Sequence, residues 1–445
     1  MTETAARHYA SLAVPRYTSY PTAADFSPAV GKDQYEAWVR RLRQGEPVSL
    51  YLHVPYCRDL CHYCGCHAKI ARRDTVIEAY ADILIREIRQ AGQYLTERPK
   101  AVHLHWGGGT PSILGGEGIG RITEVLREQF DFADDMEHAI ELDPRKVDKK
   151  LCRDLAQVGV NRASLGVQDL NPQVQEAIGR VQPIEQVEAA VNALWQVGIT
   201  SLNFDLIYGL PLQTVATLRE TCKRVAMFRP SRIACYGYAH LPARRANQRL
   251  IDVSLLPDAD ARYEQAQIVG ETFMAMGYEA VGIDHYALPE DALAVAAKAG
   301  QLRRNFQGYT DDDCPTLLGF GASSISQFRE GYTQNIADIG QYKAAVLSER
   351  APVIRGYAFN DSDRLRAQII EKLMCDFRVD LNEVAPGANF SDELALLRPL
   401  SADGLVSVQG AVMVMSPEHH SLVRLIAAVF DEFRRECAHS FSMAV

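Results

Sequence analysis

The chain has 445 residues, 47% of them apolar and 23% charged, which excludes the disordered and fibrous classes and fits a barrel of roughly 200–250 residues with appended segments. Its net charge of −9 argues against a general grip on nucleic acid, so an anionic ligand would need a local basic pocket. No segment offers ~18 uninterrupted apolar residues and no apolar stretch follows a basic start, so a cytoplasmic chain with no membrane span is expected.

In chain order, residues 1–48 read as an irregular arm with prolines at 15, 21 and 28 and no core of their own. From residue 49 short β-branched and aromatic runs alternate with helix-period stretches. Strands are expected at 49–54, 101–106, 138–142, 162–167, 201–208 and 232–238, separated by amphipathic helices at 75–95, 119–130, 146–158, 185–197 and 218–228. Unbroken βα alternation with right-handed crossovers gives an α/β fold, and we expect an open (β/α)6 partial barrel of the TIM type. Cys57, Gly107 to Thr110, Asp143, Gln168 and Gly209 each fall just past a strand's C-terminal end, where such folds build their sites; as isolated features, the glycines would be loop punctuation. Residues 240–345 mix helices with the run Leu317-Leu-Gly-Phe-Gly-Ala-Ser-Ser and are expected to close one barrel edge, so that 49–345 forms one barrel unit. Residues 346–445 read as a helical, winged-helix-like domain: helices at 363–377 and 392–397, a hairpin over 405–415 and a helix at 417–438. The acidic chain favours a packing or lid role for it over nucleic-acid binding.

Ten cysteines in a chain of this kind point to metal where they cluster, and four lie in Cys57-Arg-Asp-Leu-Cys61-His-Tyr-Cys64-Gly-Cys66. Three thiolates at Cys57, Cys61 and Cys64 can wrap one compact centre; a cubane held by three cysteines leaves one iron open to a ligand. A structural zinc, which wants four ligands at paired spacing, and unligated buried thiols are the alternatives. Cys66, one residue beyond Cys64, is sterically awkward as a fourth ligand. His62 and His67 read as hydrogen-bonding residues, and Cys152, Cys222 and Cys375 as small buried hydrophobes.

A CxxxCxxC loop with an aromatic residue before its last cysteine, directly after a barrel strand, resembles the radical S-adenosylmethionine (SAM) superfamily. Pro15-Arg-Tyr-Thr-Ser-Tyr-Pro-Thr22, Tyr51-Leu-His-Val-Pro-Tyr-Cys57, Cys64-Gly-Cys66, His105-Trp-Gly-Gly-Gly-Thr-Pro111, Asn203-Phe-Asp-Leu-Ile-Tyr-Gly-Leu-Pro211, Tyr238-Ala-His-Leu-Pro242 and Arg304-Asn-Phe-Gln-Gly-Tyr-Thr310 narrow the resemblance, over nearly the whole chain, to the oxygen-independent coproporphyrinogen III oxidase family. That resemblance implies a [4Fe-4S] cluster on Cys57, Cys61 and Cys64 and two SAM molecules. The methionine end of the first would chelate the open iron, and its reductive cleavage would give a 5'-deoxyadenosyl radical. Glycines 107 to 109 would let backbone approach that ligand and offer it N–H and C=O partners. The first SAM would be contacted by Tyr51, Gly108, Glu141 and Ile325, with Tyr51 covering the cluster. The second would be contacted by Tyr63, Gly109, Thr110, Gln168, Arg180, Asp205 and Ala239, with Gln307 nearby. Tyr63 departs from the family's Phe. The implied reaction is hydrogen abstraction from a propionate β carbon, then loss of an electron and carbon dioxide to leave a vinyl group, performed twice to give protoporphyrinogen IX. No general acid or base is required. A reduced donor such as flavodoxin or ferredoxin is implied, with coproporphyrinogen III as substrate; we expect a monomer that binds no nucleic acid.

Propionates call for guanidinium partners, and the candidates are Arg16, Arg244, Arg245, Arg249, Arg303 and Arg304, each of which could equally be a solvated surface charge. Tyr17 and Tyr20 could fold over a flat macrocycle as a lid. Rival readings are a haem-binding chaperone and a radical SAM methyltransferase.

Overall fold

The computed structural model describes residues 3–435. Its centre is the expected run of six parallel strands: β1 (Pro47–Val54), β2 (Lys100–Gly108), β3 (Asp131–Leu142), β4 (Arg162–Gln168), β5 (Ser201–Tyr208) and β6 (Arg232–Gly237), neighbours in sheet order as in sequence. The crossover helices Asp74–Tyr94, Gly115–Gln129, Lys149–Gln157, Ile184–Gln196 and Val215–Met227 match the expected ones within a few residues. Caps set several of their starts. The Asp148 carboxylate accepts from the Leu151 amide and the Thr214 hydroxyl from the Thr217 amide, satisfying amides that a helix N-terminus leaves open.

Alternation along the strands divides the sheet into two faces. On β4 and β5, Ala163, Leu165, Val167, Leu202, Phe204 and Leu206 are buried in one core with Val187, Val191, Leu194, Leu218 and Val225 of the helices outside. The opposite face carries Ser164, Gly166, Gln168, Asn203 and Asp205, which line a cavity. An ordinary closed barrel fills its interior with branched apolar side chains. Polar and small residues at alternate positions leave this interior open for a ligand.

The sheet is larger than the six strands expected: twelve strands with two free ends. Residues 240–345 extend both edges instead of closing one. Leu317–Phe320 adds to β1 in parallel, followed by antiparallel Ile325–Phe328, Gly331–Asn335 and Val353–Ala358, while His285–Ala287 adds antiparallel to β6 and pairs with Glu279–Val281. The sheet therefore runs past the boundary expected at 345. Five of the six added strands are three to five residues long, too short to give a clear period-two signal. Gly321 ends one of them at φ +99°, where a Cβ would lie 2.3 Å from the His53 carbonyl oxygen, so only glycine makes the turn. Strand β3 begins seven residues before its expected start; exposed Asp134 and Asp135 interrupt its apolar pattern.

The C-terminal module has helix Asp361–Asp376 and a three-stranded sheet of Arg378–Asp380, Val412–Met415 and Val406–Gln409, consistent with the winged-helix-like order. The single helix expected from Pro417 is instead a kinked series: a 3-10 turn at Pro417–Leu422, an α turn at Val423–Ala427 and a 3-10 turn at Ala428–Phe430. His419 holds a non-helical φ of −126°. Residues 436–438 of that expected helix lie outside the described residues.

The N-terminal arm is not irregular, and it does contribute to a core. It contains helices Glu3–Ala10 and Lys32–Val39, and Ala10, Val14, Tyr17 and Tyr20 are buried in one cluster with Leu373, Met374, Leu425 and Phe430 of the C-terminal module. Tyr17 and Tyr20 are therefore interior residues, not a lid. The Tyr17 hydroxyl donates to Asp431 Oδ2 at 2.9 Å, and the Glu432 amide donates to the Tyr20 hydroxyl at 3.2 Å.

Candidate cluster and cofactor site

The loop carrying the cysteines leaves β1 and is held from two sides by other loops. The His62 amide donates to the Ile178 carbonyl at 2.9 Å. Across the cavity mouth, Asn247 Nδ2 donates to the carbonyls of Cys61, His62 and Cys64 at 3.0, 3.1 and 2.9 Å, and Gln248 Nε2 to those of Tyr63 at 2.7 Å and Ala239 at 3.2 Å. These two side chains supply donors to backbone carbonyls of the tight cysteine loop, of which Cys61 O also accepts from the Cys64 amide.

Donors converge on the sulfur atoms. Thr110 Oγ1 donates to Cys57 Sγ at 3.3 Å, and Arg180 Nη1 to Cys61 Sγ at 3.4 Å, with Arg145 Nη2 at 4.0 Å. Asp143 orients both guanidiniums, accepting from Arg145 Nη2 at 2.7 Å and Arg180 Nη2 at 3.1 Å. Burial alone would raise the Asp143 carboxyl, but these two cations outweigh it and hold it below its usual range. Burial pushes the Cys57 thiol up to about 11, opposed by the Thr110 hydrogen bond, whereas hydrogen bonding from Cys66 brings Cys64 down to about 7.

A hydroxyl on Cys57, two guanidiniums on Cys61 and the Cys66 amide on Cys64 suit a ligand set of thiolates, whose negative charge such donors stabilise. The spacing does not suit one ion. Among the described residues only Asp312, Asp313 and Cys314 bring three donor atoms within 4.8 Å of one another, and Asp312 pairs with Ser49 at the opposite end of β1. A mononuclear zinc with bonds of about 2.3 Å would draw its sulfurs closer than that limit.

The glycine run at the end of β2 is packed more tightly than the sequence alone implies. A Cβ on Gly107 would meet Glu141 Oε1 at 2.8 Å, one on Gly108 the His53 ring at 2.7 Å, and one on Gly109 the Tyr56 carbonyl oxygen at 2.6 Å. The loop's amides are already engaged: Gly108 N–H with Glu141 Oε2 at 3.2 Å, Gly109 N–H with the Val54 carbonyl and Thr110 N–H with the Tyr56 carbonyl, both at 2.9 Å. The glycines thus serve close approach of protein to protein. The N–H partners expected for a ligand from Gly108 and Gly109 are taken.

Above the cysteines opens a cavity of about 800 Å³, within the range of small-molecule sites. All the cofactor residues proposed from the sequence line it except Tyr51 and Ile325. Tyr51 stacks on His105, its hydroxyl 3.0 Å from His53 Nδ1. Ile325 lies two strands out from β1, its backbone against Gly319. Gln168 reaches the wall through a register shift between Gly166 and Gln168 and a left-handed φ of +65°, a bulge that re-aims the side chain. Asp205 Oδ2 accepts from the Ser164 hydroxyl at 2.7 Å and Oδ1 from Asn203 Nδ2 at 2.9 Å, while burial pushes its carboxyl up to about 6. At the floor, Arg162 pairs with Glu137 at 2.7 Å and Arg232 with Asp291 at 2.6 Å.

Of the arginines proposed for propionates, Arg16, Arg244 and Arg245 line this cavity. Arg249 turns to the Pro242 carbonyl and Arg303 pairs with Glu371 at 3.0 Å; neither joins the site. Sequence reasoning missed Arg145, Asn247, Gln248, Ser164, Asn203 and the floor pairs. The alternating polar positions on β4 and β5 were a usable signal for Ser164 and Asn203; the others act only through folding.

The Radical SAM superfamily profile matches residues 51–225. An oxygen-independent coproporphyrinogen III oxidase from Bradyrhizobium diazoefficiens is 44% identical over 428 residues, covering 95% of each chain. The enzyme of that name from Escherichia coli K12 is 39% identical over 430 residues, covering 95% of this chain and 94% of its own. A solved structure of coproporphyrinogen III oxidase (HemN) from Escherichia coli, described as a radical SAM enzyme, superposes with a TM-score of 0.89 at 38% identity, covering 94% of this chain and 97% of that one. Fold, cysteine loop and near-full-length similarity thus agree, and the chain belongs to the oxygen-independent coproporphyrinogen III oxidase family of the radical SAM superfamily.

Proposed function

We propose that this protein converts coproporphyrinogen III to protoporphyrinogen IX without oxygen, oxidatively decarboxylating two propionates to vinyl groups. The observation that carries this reading is the cavity of about 800 Å³ lined by the three-cysteine loop and by guanidiniums. When bound, the [4Fe-4S] cluster and SAM supply an electron and a carbon-centred radical. Cys57, Cys61 and Cys64 would hold the cluster, and Arg145 and Arg180, fixed by Asp143, would offset the thiolate charge.

We assign Glu141 and Asp205 to accept ligand hydroxyls, since both present carboxylates to the cavity and no acid–base step is needed of them. Arg180, whose Nε is buried without a protein partner, would donate to an anionic group of a second SAM; Tyr63, Gln168, Ala239 and Gln307 would complete that second position. An external one-electron donor of the flavodoxin or ferredoxin type would serve a monomer. No helix among the described residues is long and apolar enough to cross a membrane.

Anaerobically reconstituted, reduced protein should convert coproporphyrinogen III with loss of two carboxyl groups and formation of 5'-deoxyadenosine, read by chromatography of the oxidised porphyrins. Deoxyadenosine without any change in the porphyrin would leave the radical chemistry standing and reject the substrate. Tight haem binding with no turnover would favour a chaperone.

A further inference from the structure

A second cavity of about 610 Å³ lies between the end of β6, the helix Ala259–Ala275 and the C-terminal module. It shares the wall Tyr236 to Ala239, with Leu241 and Arg16, with the first cavity, so the two chambers adjoin across one strand end. Arg16, Arg262, Arg304 and Arg424 face it, against the carboxylates of Asp284 and Glu418. Counted over guanidiniums and carboxylates, four cations against two anions leave a surplus of two positive charges.

These guanidiniums are close enough to disfavour one another's charge. Arg424 is brought down to about 10 by burial first, then by Arg16 and Arg304, and burial followed by Arg16 lowers Arg262. Arg304 differs: burial disfavours its charge, but Tyr309 and Asp284 outweigh that burial and favour it. Its Nη2 donates to the Arg16 carbonyl at 3.3 Å and its guanidinium stacks 4.2 Å from the Tyr309 ring, yet Nε and Nη1 are buried with no hydrogen-bond partner. Buried donors without acceptors are costly and mark a place where an anion belongs. Arg16 stands at the junction because the chain turns sharply beside it: Tyr17 adopts φ +47° and is buried, while Arg16 is exposed and reaches the Gly237 carbonyl at 3.3 Å.

We propose that this chamber is the subsite for the non-reacting carboxylates of the macrocycle, held by Arg16, Arg304 and Arg424 while one propionate reaches the first cavity. The assignment rests on the substrate reading above and extends it to named residues. It also gives the C-terminal module a role, since Arg424 follows the Pro417–Leu422 turn that walls the chamber.

The test is a fluorescence-quenching titration of reconstituted holoenzyme with coproporphyrin III as the free acid and as its tetramethyl ester. Native protein should prefer the acid, and Arg304→Gln and Arg424→Gln should each weaken acid binding by about tenfold or more, the loss of a charge-assisted hydrogen bond. Binding of the ester should change less, and Arg304→Lys should recover part of the loss. Iron content and the SAM-induced change in the electron paramagnetic signal should be unaltered in all three variants, which separates lost recognition from lost folding. Equal weakening of acid and ester, or native acid affinity in both glutamine variants, would overturn the subsite. If the variants bind as native protein does and native protein still decarboxylates coproporphyrinogen III, only the subsite fails; a native protein that neither binds nor converts it overturns both.

Discussion

Cys61 is the most enclosed of the three thiols proposed as ligands, 7% exposed, and two guanidiniums reach its sulfur. Cys66 is exposed, and its amide donates to Cys64 Sγ at 3.4 Å. It supports a neighbouring sulfur instead of standing beside it as a further ligand. Iron and sulfide analysis of reconstituted single variants should therefore show most of the iron lost in Cys57→Ser, Cys61→Ser and Cys64→Ser and retained in Cys66→Ser. Retention in Cys61→Ser with loss in Cys66→Ser would reverse the assignment. This part of the site was legible because three thiols within eight positions need no folding to be close. Asn247 was not legible: its three hydrogen bonds to the cysteine loop span more than 180 positions of sequence, and an asparagine in an arginine-rich loop carries no local mark of that role.

Among the elements, the six parallel strands and five crossover helices were readable from periodicity, because each strand is long enough to show an alternating or continuous apolar pattern. What periodicity could not show is how the added edge strands are held. Glu87, 4% exposed on the helix Asp74–Tyr94, is the answer on one side. Its carboxylate accepts from the Gly321 amide at 2.7 Å, Asn335 Nδ2 at 2.6 Å and the Tyr342 hydroxyl at 2.5 Å, tying three segments beyond β1 to one helix. Burial pushes this carboxyl up to about 7, opposed by the three donors. An acid whose folded pKa is raised binds its proton more tightly when folded, so between its unfolded value near 4.5 and about 7 stability falls as pH rises. Glu87→Gln should remove that slope, worth up to about 3 kcal/mol across the window at about 1.4 kcal/mol per unit. Denaturant midpoints measured from pH 5 to 8 should flatten in the variant, and an unchanged slope would assign the pH dependence elsewhere.

At the scale of the whole molecule, the chain ends interlock. The arm preceding the barrel supplies Val14, Tyr17 and Tyr20 to the core of the module that follows it, so neither forms its core alone. Proline-rich spacing made the arm look irregular because its partners lie roughly 350 to 420 positions away, beyond any local pattern. Tyr17 is the pivot. It is 3% exposed, and its hydroxyl donates to Asp431, itself 2% exposed. Removing the ring leaves a cavity and strips the buried Asp431 carboxylate of its hydroxyl donor, leaving it the Phe433 amide, and the loss should be about 3–5 kcal/mol to this unit. Tyr17→Ala should make residues before the barrel cleavable by protease at concentrations that spare the native protein. Because Arg16 is placed by the same turn, KM for coproporphyrinogen III should rise while iron content stays native, since no cluster ligand lies in the arm. Tyr17→Phe, which keeps the ring and loses only the hydrogen bond, should fall between the two. A Tyr17→Ala protein with native KM and native protease resistance would show that the arm is held, and Arg16 presented, by contacts other than this tyrosine.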